Sequence, residues 1–133
     1  MEGLLHGRAA MTQARVALGK TGEDLACSEL EGRGYEIIAR RYRQRSGELD
    51  IVARDGPTLV FIEVKARDGS DFGDAAEAVT WRKRHRLTLL AIDFMSRNHI
   101  ANCPCRFDVV TVQLESGRPA VTVYQNAFDA TVT

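Results

Sequence analysis

A chain of 133 residues with 44% hydrophobic and 27% charged residues has room for one domain around one core, which excludes two independent domains and a disordered chain. Its 18 basic and 18 acidic residues cancel, which excludes a protein that coats nucleic acid through bulk charge but not one with a local basic strip. The basic side is lopsided, with fifteen Arg against three Lys (Lys20, Lys65 and Lys83), so each lysine stands out.

Residues 1–12 read as a flexible lead-in, too short in apolar residues for a signal peptide. No run approaches the roughly 20 apolar residues of a membrane span, so the expectation is a cytoplasmic protein. From Met11 to Arg33 the positions Val16, Gly19, Ala26, Cys27 and Leu30 recur at helical spacing, with Gly32 and Gly34 as the stop and Thr21 as an alternative cap for a shorter helix. Lys20, Glu23 and Cys27 share one face of that helix. Tyr35 to Arg43 reads as a first strand, Glu48 to Arg54 as a second and Thr58 to Ala66 as a third. The Asp55-Gly56 turn joins the last two, and the three form an antiparallel meander. Residues 67–73 read as a polar loop.

A helix follows, starting near Asp74 or Thr80 and ending at Asn98, with Leu87, Leu90, Ala91 and Phe94 on one face and Val79 in phase. Arg106 to Glu115 and Ala120 to Asn126 read as strands joined through Ser116 to Pro119, leaving 127–133 as a tail. The domain therefore spans 13–126, and the class is α/β. Cys27 reads as a small buried residue. Cys103-Pro104-Cys105, with His99 before it, has no second pair at the spacing of a structural zinc site and reads as a loop.

Alternation puts Glu48 and Asp50 on one side of the second strand and Glu63 and Lys65 on one side of the third. The tight turn makes these strands neighbours, so register decides whether Asp50, Glu63 and Lys65 meet. Two carboxylates about 4 Å apart repel by roughly 4 kcal/mol at an effective dielectric of about 20, a placement that makes sense with a cation between them. Two carboxylates and a backbone carbonyl suit Mg²⁺, which would polarise a phosphoryl oxygen and acidify bound water. A lysine beside them can orient or deprotonate that water, whereas an arginine does not lose its proton near neutrality. The competing reading is a charge-balanced pair on a solvated sheet face.

Two basic clusters remain. Arg40, Arg41, Arg43 and Arg45 surround Tyr42; Arg82, Lys83, Arg84 and Arg86 follow Trp81, with His85 among them. Of these, Arg41, Arg43, Arg45, Arg82, Lys83, Arg84 and Arg86 are the candidates for phosphate contacts, with Tyr42 or Trp81 available for stacking. Glu48 could be an outer partner of a metal or a rim charge, Asp108 a buried hydrogen-bonding group, and Glu77 a complement to a helix N-terminus.

Gly22-Glu23, the segment Gly47 to Arg54 (GELDIVAR), Phe61-Ile62-Glu63-Val64-Lys65, Glu77-Ala78-Val79 and Arg106 to Val110 (RFDVV) together resemble the YraN-like family of predicted nucleases, a branch of the PD-(D/E)xK superfamily near archaeal Holliday junction resolvases. The resemblance covers roughly residues 13–125. It implies a restriction-endonuclease-like αβββαβ core, a central mixed sheet flanked by helices. It further implies that Asp50, Glu63 and Glu23 hold Mg²⁺ or Mn²⁺, that Lys65 completes the catalytic set, and that the substrate is DNA, branched or structured DNA included. Leu49 stands where the superfamily carries a proline that is not a ligand. Resolvase-like relatives imply a homodimer. The alternative is a catalytically inactive nucleic-acid-binding module of the same fold.

Overall fold

A computed structural model describes residues 20–68, 79–114 and 118–131. The lead-in, Val16 and Gly19, most of the loop read over 67–73, Glu77 and Ala78, and the Ser116-Gly117 step lie outside the described residues. Residues 20–32 are helical (α1). The chain continues through β1 (Glu36–Gln44), β2 (Gly47–Asp55), β3 (Thr58–Asp68), helix α2 (Trp81–Arg97), β4 (Cys105–Leu114) and β5 (Ala120–Phe128). The strands form one mixed sheet in the order β1-β2-β3-β4-β5, antiparallel except for the parallel pair β3/β4 that flanks α2. The meander and the helix–three strands–helix–two strands order are those expected from the sequence. Among the described residues no helix is long and apolar enough to cross a membrane.

Alternation along the strands divides the core into two layers. Phe61, Val52, Leu59, Phe107 and Val109 pack with Leu87, Leu90, Ala91 and Phe94 of α2. Ile51, Ala53, Val60, Ile62, Val110 and Val112 pack with Ala26, Cys27 and Leu30 of α1. Helix α2 begins where Thr80 Oγ1 accepts the Lys83 N–H at 3.2 Å, which selects Thr80 over Asp74 as its cap.

Two strands outrun the sequence reading. Through Asp68, β3 stays paired because β4 runs parallel beside it to Asp68↔Leu114, so the polar residues Arg67 and Asp68 belong to a strand and not to a loop. Likewise β5 extends to Phe128, whose ring stacks on Phe107 in the core; local polarity at Gln125 and Asn126 hid that anchor. In the Cys103-Pro104 segment, Cys103 Sγ lies 3.4 Å from the Pro57 carbonyl.

Candidate metal centre

The site forms where β2 and β3 part. Their ladder runs from Asp55↔Thr58 to Ile51↔Ile62, and the next two residues, Asp50 and Glu63, lie beyond its last rung. The Val64 N–H, released from that ladder, donates to Asp50 Oδ2 at 2.8 Å. The Glu63 carboxyl lies close enough to Asp50 for its charge to act on it. Removal from solvent, and then the adjacent Glu63 charge, push the Asp50 carboxyl up to about 8.

A third carboxylate arrives from α1 on the side of the sheet opposite α2. Gly22 lies so close to β3 that a Cβ built on it would stand 2.6 Å from Ala66 Cβ. This approach sets the buried Glu23 beside the end of β2. Carboxylate oxygens of Glu23, Glu48 and Asp50 fall within 4.8 Å of one another, the one group of potential metal ligands of this kind among the described residues. Across the β1/β2 ladder from Asp50 stands Arg41, flanked by the pairs Arg40↔Ile51 and Tyr42↔Leu49, with φ of 55°. A left-handed residue other than glycine or asparagine inside a strand is strained, and such strain collects at functional sites. Here it accompanies a switch of sides: Leu49 packs with the α2 layer although Ile51, two residues on, packs with the α1 layer.

Cations close the site. Lys65 Nζ is 3.7 Å from Glu63 Oε2, and Lys83 Nζ from the first turn of α2 is 2.5 Å from the same oxygen. Burial, then the neighbouring Lys83 ammonium, push the Lys65 amine below its ordinary value. Lys83 is raised even though burial opposes it, because Glu63 holds its proton. Glu23 Oε1 accepts from Arg40 Nε at 3.1 Å and from Arg41 Nε at 3.0 Å, and Glu48 accepts from Arg43 Nε at 2.6 Å.

The residues expected from the sequence are thus distributed as follows. Asp50, Glu63, Lys65 and Glu23 come together, with Asp50 linking the Glu23–Glu48 side to the Glu63–Lys65 side. Glu48, expected as an outer partner or a rim charge, has an oxygen within 4.8 Å of those of Glu23 and Asp50. The signal was its i, i+2 spacing to Asp50. Arg41, Arg43 and Lys83, expected at phosphates, are ion-paired to these carboxylates. Arg84 Nε donates to the Val79 carbonyl and its guanidinium lies over the Phe128 ring, while Arg45, Arg82 and Arg86 are exposed. Asp108 is fully buried in a hydrogen-bonded network on the α1 side of the sheet, away from this centre. A set of carboxylate oxygens with no sulfur or imidazole among them suits a hard divalent cation such as Mg²⁺ or Mn²⁺.

Residues 22–112 match the model of a protein family described as uncharacterised protein family UPF0102, a span that includes every member of the carboxylate–lysine cluster. The chain is 47% identical over 114 residues to a UPF0102 protein of Symbiobacterium thermophilum, covering 85% of this chain and 97% of that one. It is 42% identical over 120 residues to a UPF0102 protein of Pelotomaculum thermopropionicum, covering 89% and 100%. It is also 44% identical over 115 residues to one of Pseudomonas aeruginosa, covering 84% and 92%. The chain belongs to the uncharacterised protein family UPF0102.

Proposed function

We propose that this protein is a divalent-metal-dependent endonuclease of the restriction-endonuclease-like type, hydrolysing phosphodiester bonds in DNA. One observation carries the reading. Asp50 and Glu63 lie side by side beyond the last rung of their ladder, with Lys65 beside Glu63 and oxygens of Glu23 and Glu48 gathered at Asp50. Asp50, Glu23, Glu48 and Glu63 are the residues that would hold Mg²⁺ or Mn²⁺. When bound, such an ion supplies a Lewis acid for a phosphoryl oxygen and lowers the pKa of its water.

The chain's own groups do the rest. The Asp50 carboxyl is fixed by the Val64 N–H and keeps its orientation when its proton leaves. Lys65, its amine lowered by burial and by Lys83, can accept the proton of an attacking water at Nζ or carry positive charge to the phosphate. Arg43 is 76% exposed and its pairing to Glu48 is of the kind worth roughly 0–1 kcal/mol, so it can turn from the carboxylate to a phosphate at little cost. Lys83 can do likewise from Glu63.

The test is cleavage of linear, flap and four-way DNA with Mg²⁺, with Mn²⁺ and with EDTA, by wild type and by Asp50→Asn and Lys65→Ala. The expected result is metal-dependent cleavage that falls by about 10³-fold or more in both variants while circular dichroism is unchanged, since Asp50 would hold the metal and Lys65 would act on the attacking water or the phosphate. Equal cleavage by all three proteins overturns the assignment.

A second reading has its own observation. Glu23, Glu48 and Glu63 are each already paired to Arg or Lys, so the cluster is nearly balanced without a metal. A binding module that cuts nothing accounts for that balance. It predicts salt-sensitive DNA binding that survives Asp50→Asn, and no metal-dependent product.

A further inference from the structure

Helix α2 buries Leu87, Leu90, Ala91 and Phe94 against the sheet, and the opposite side of such a helix is ordinarily polar. Here it is not. Trp81, His85, Leu89 and Ile92 follow one another at steps of four, four and three along the outward face, and Trp81, Leu89 and Ile92 are exposed. Trp81 is 63% exposed, yet it is held in place. Its indole lies parallel to the His85 ring, with centroids 5.5 Å apart and planes 2° from parallel. The imidazole is itself fixed, its Nδ1 2.8 Å from Thr131 Oγ1, while the Thr131 N–H donates to Thr88 Oγ1 at 3.1 Å. A flat aromatic surface open to water has therefore been given one orientation.

The first three turns of α2 carry charge of one sign, and Asp93 just beyond them is paired to Arg97. No acidic residue occurs from Trp81 to Ile92. The basic cluster divides in the fold: Lys83 and Arg84 turn inward, whereas Arg82 and Arg86 stay exposed and make no ion pair among the described residues. The Arg86 stem lies over Gly47, where an added Cβ would come 3.0 Å from Arg86 Cδ, so it bridges α2 to the hairpin that carries Glu48 and Asp50. A fixed aromatic plane flanked by open guanidinium groups is the chemistry that takes a nucleobase on the ring and phosphates on the arginines. In a duplex the base faces are hidden in the stack; an unpaired base can reach the indole.

We infer that the Trp81–His85 pair is a stacking platform for an unpaired nucleobase, with Arg82 and Arg86 on the adjoining phosphates, and that the ligand is DNA containing a single-stranded segment or branch point. The inference deepens the proposed nuclease function and rests on it for its place in catalysis, because Lys83, two residues from Trp81, reaches Glu63.

Trp81 is the only tryptophan of the chain, so its emission reports the platform directly. The intact protein is titrated in EDTA, where no metal-dependent cleavage intervenes, with an oligothymidylate and with a blunt duplex of equal length. The single strand is expected to quench Trp81 saturably and the duplex to leave it nearly unchanged. By anisotropy, Trp81→Ala weakens single-strand binding by roughly 5- to 100-fold and Trp81→Phe keeps most of it. Arg82→Ala and Arg86→Ala each reduce the salt slope by roughly 0.7. Equal quenching by both DNAs overturns the inference, as does binding without any change in emission. So does a concentration-dependent emission change without DNA that tracks dimer mass in sedimentation, because then a second copy covers the stripe. Cleavage with a silent Trp81 removes the platform and leaves the nuclease reading. Quenching with no cleavage in Mg²⁺ or Mn²⁺ removes the nuclease reading and keeps the platform.

Discussion

Asp108 and Glu63 sit one rung apart on the parallel strands β4 and β3, where Ile62 pairs with Asp108 and Glu63 with Val109. Both are buried, yet their surroundings are built oppositely. Asp108 accepts from the Tyr35 hydroxyl at 3.0 Å, from Arg106 Nε at 2.9 Å and Nη2 at 3.0 Å, and from the Asn126 N–H at 2.9 Å. Arg106 also reaches Asp55 at 3.0 Å and the Tyr35 hydroxyl at 2.8 Å, while Gln125 donates to that hydroxyl. Every lone pair there meets a donor. On the other face, Glu63 meets a second carboxyl and two part-buried lysines. A matched buried charge fixes structure, and mutually opposed buried charges store a demand for a ligand.

The largest effect expected from that difference is on stability. Arg106→Ala leaves Asp108 buried without its cation and should cost about 3–5 kcal/mol, read as a shift of the urea midpoint at constant slope. Lys83→Ala at the other site should cost about 1 kcal/mol or less, because Lys83 is part-exposed and Lys65 remains beside Glu63. Similar losses in the two variants would erase the distinction between the two faces.

The next effect is a pH dependence. The Asp50 carboxyl is raised from 3.8 to about 8 by removal from solvent and by Glu63. The metal-free native protein therefore keeps a proton that the unfolded chain releases as pH rises through 3.8. The stabilisation is fully present below 3.8 and is lost as pH rises through about 8. Each pH unit inside that window costs up to about 1.4 kcal/mol for one proton. Asp24 and Asp93, both lowered, first through side-chain hydrogen bonds to Arg40 and Tyr42, respectively, slope the other way at acid pH. The informative quantity is thus the difference between wild type and Asp50→Asn, in EDTA. The variant should be relatively more stable at pH 8 than at pH 5, and Mg²⁺ should narrow that gap by stabilising wild type alone. A difference that does not change with pH would show that Asp50 keeps no proton in the native protein.

Much of this contrast could be read from the chain, for reasons that are local. Alternation in GELDIVAR and FIEVK, with an Asp-Gly turn between them, places Asp50 near Glu63 and Lys65, and apolar phase alone gives the buried face of α2. What stayed hidden depends on distance in the sequence. Whether Glu48 was an outer partner or a rim charge stayed open, because its neighbour Glu23 is delivered by a separate helix. Arg41, Arg43 and Lys83 read as free cations because their carboxylate partners lie on other elements. The end of β3 looked like a loop because its pairing partner, β4, begins 37 residues after the end of β3. Arg106 and Asp108 share a strand, but Tyr35, Asp55 and Gln125 join them only through the sheet.

The smallest effect tests how Glu23 is delivered. In an exposed helix, replacing glycine by alanine stabilises by roughly 1 kcal/mol. At Gly22 the added methyl would lie 2.6 Å from Ala66 Cβ, an atom that cannot swing away because it sits directly on the β3 backbone. Gly22→Ala must therefore move α1 off the sheet, and the expected outcome reverses in sign to a loss of about 1–2 kcal/mol. The movement also carries Glu23 away from Glu48 and Asp50, so a metal-dependent thermal shift should weaken more than stability does. Ala66→Gly removes the opposing methyl and should restore both measurements in the double variant. If Gly22→Ala lowers stability but leaves the metal response intact, Glu23 belongs with Arg40 and Arg41 as a structural ion pair. The carboxylates that answer to metal are then those of the two strands alone.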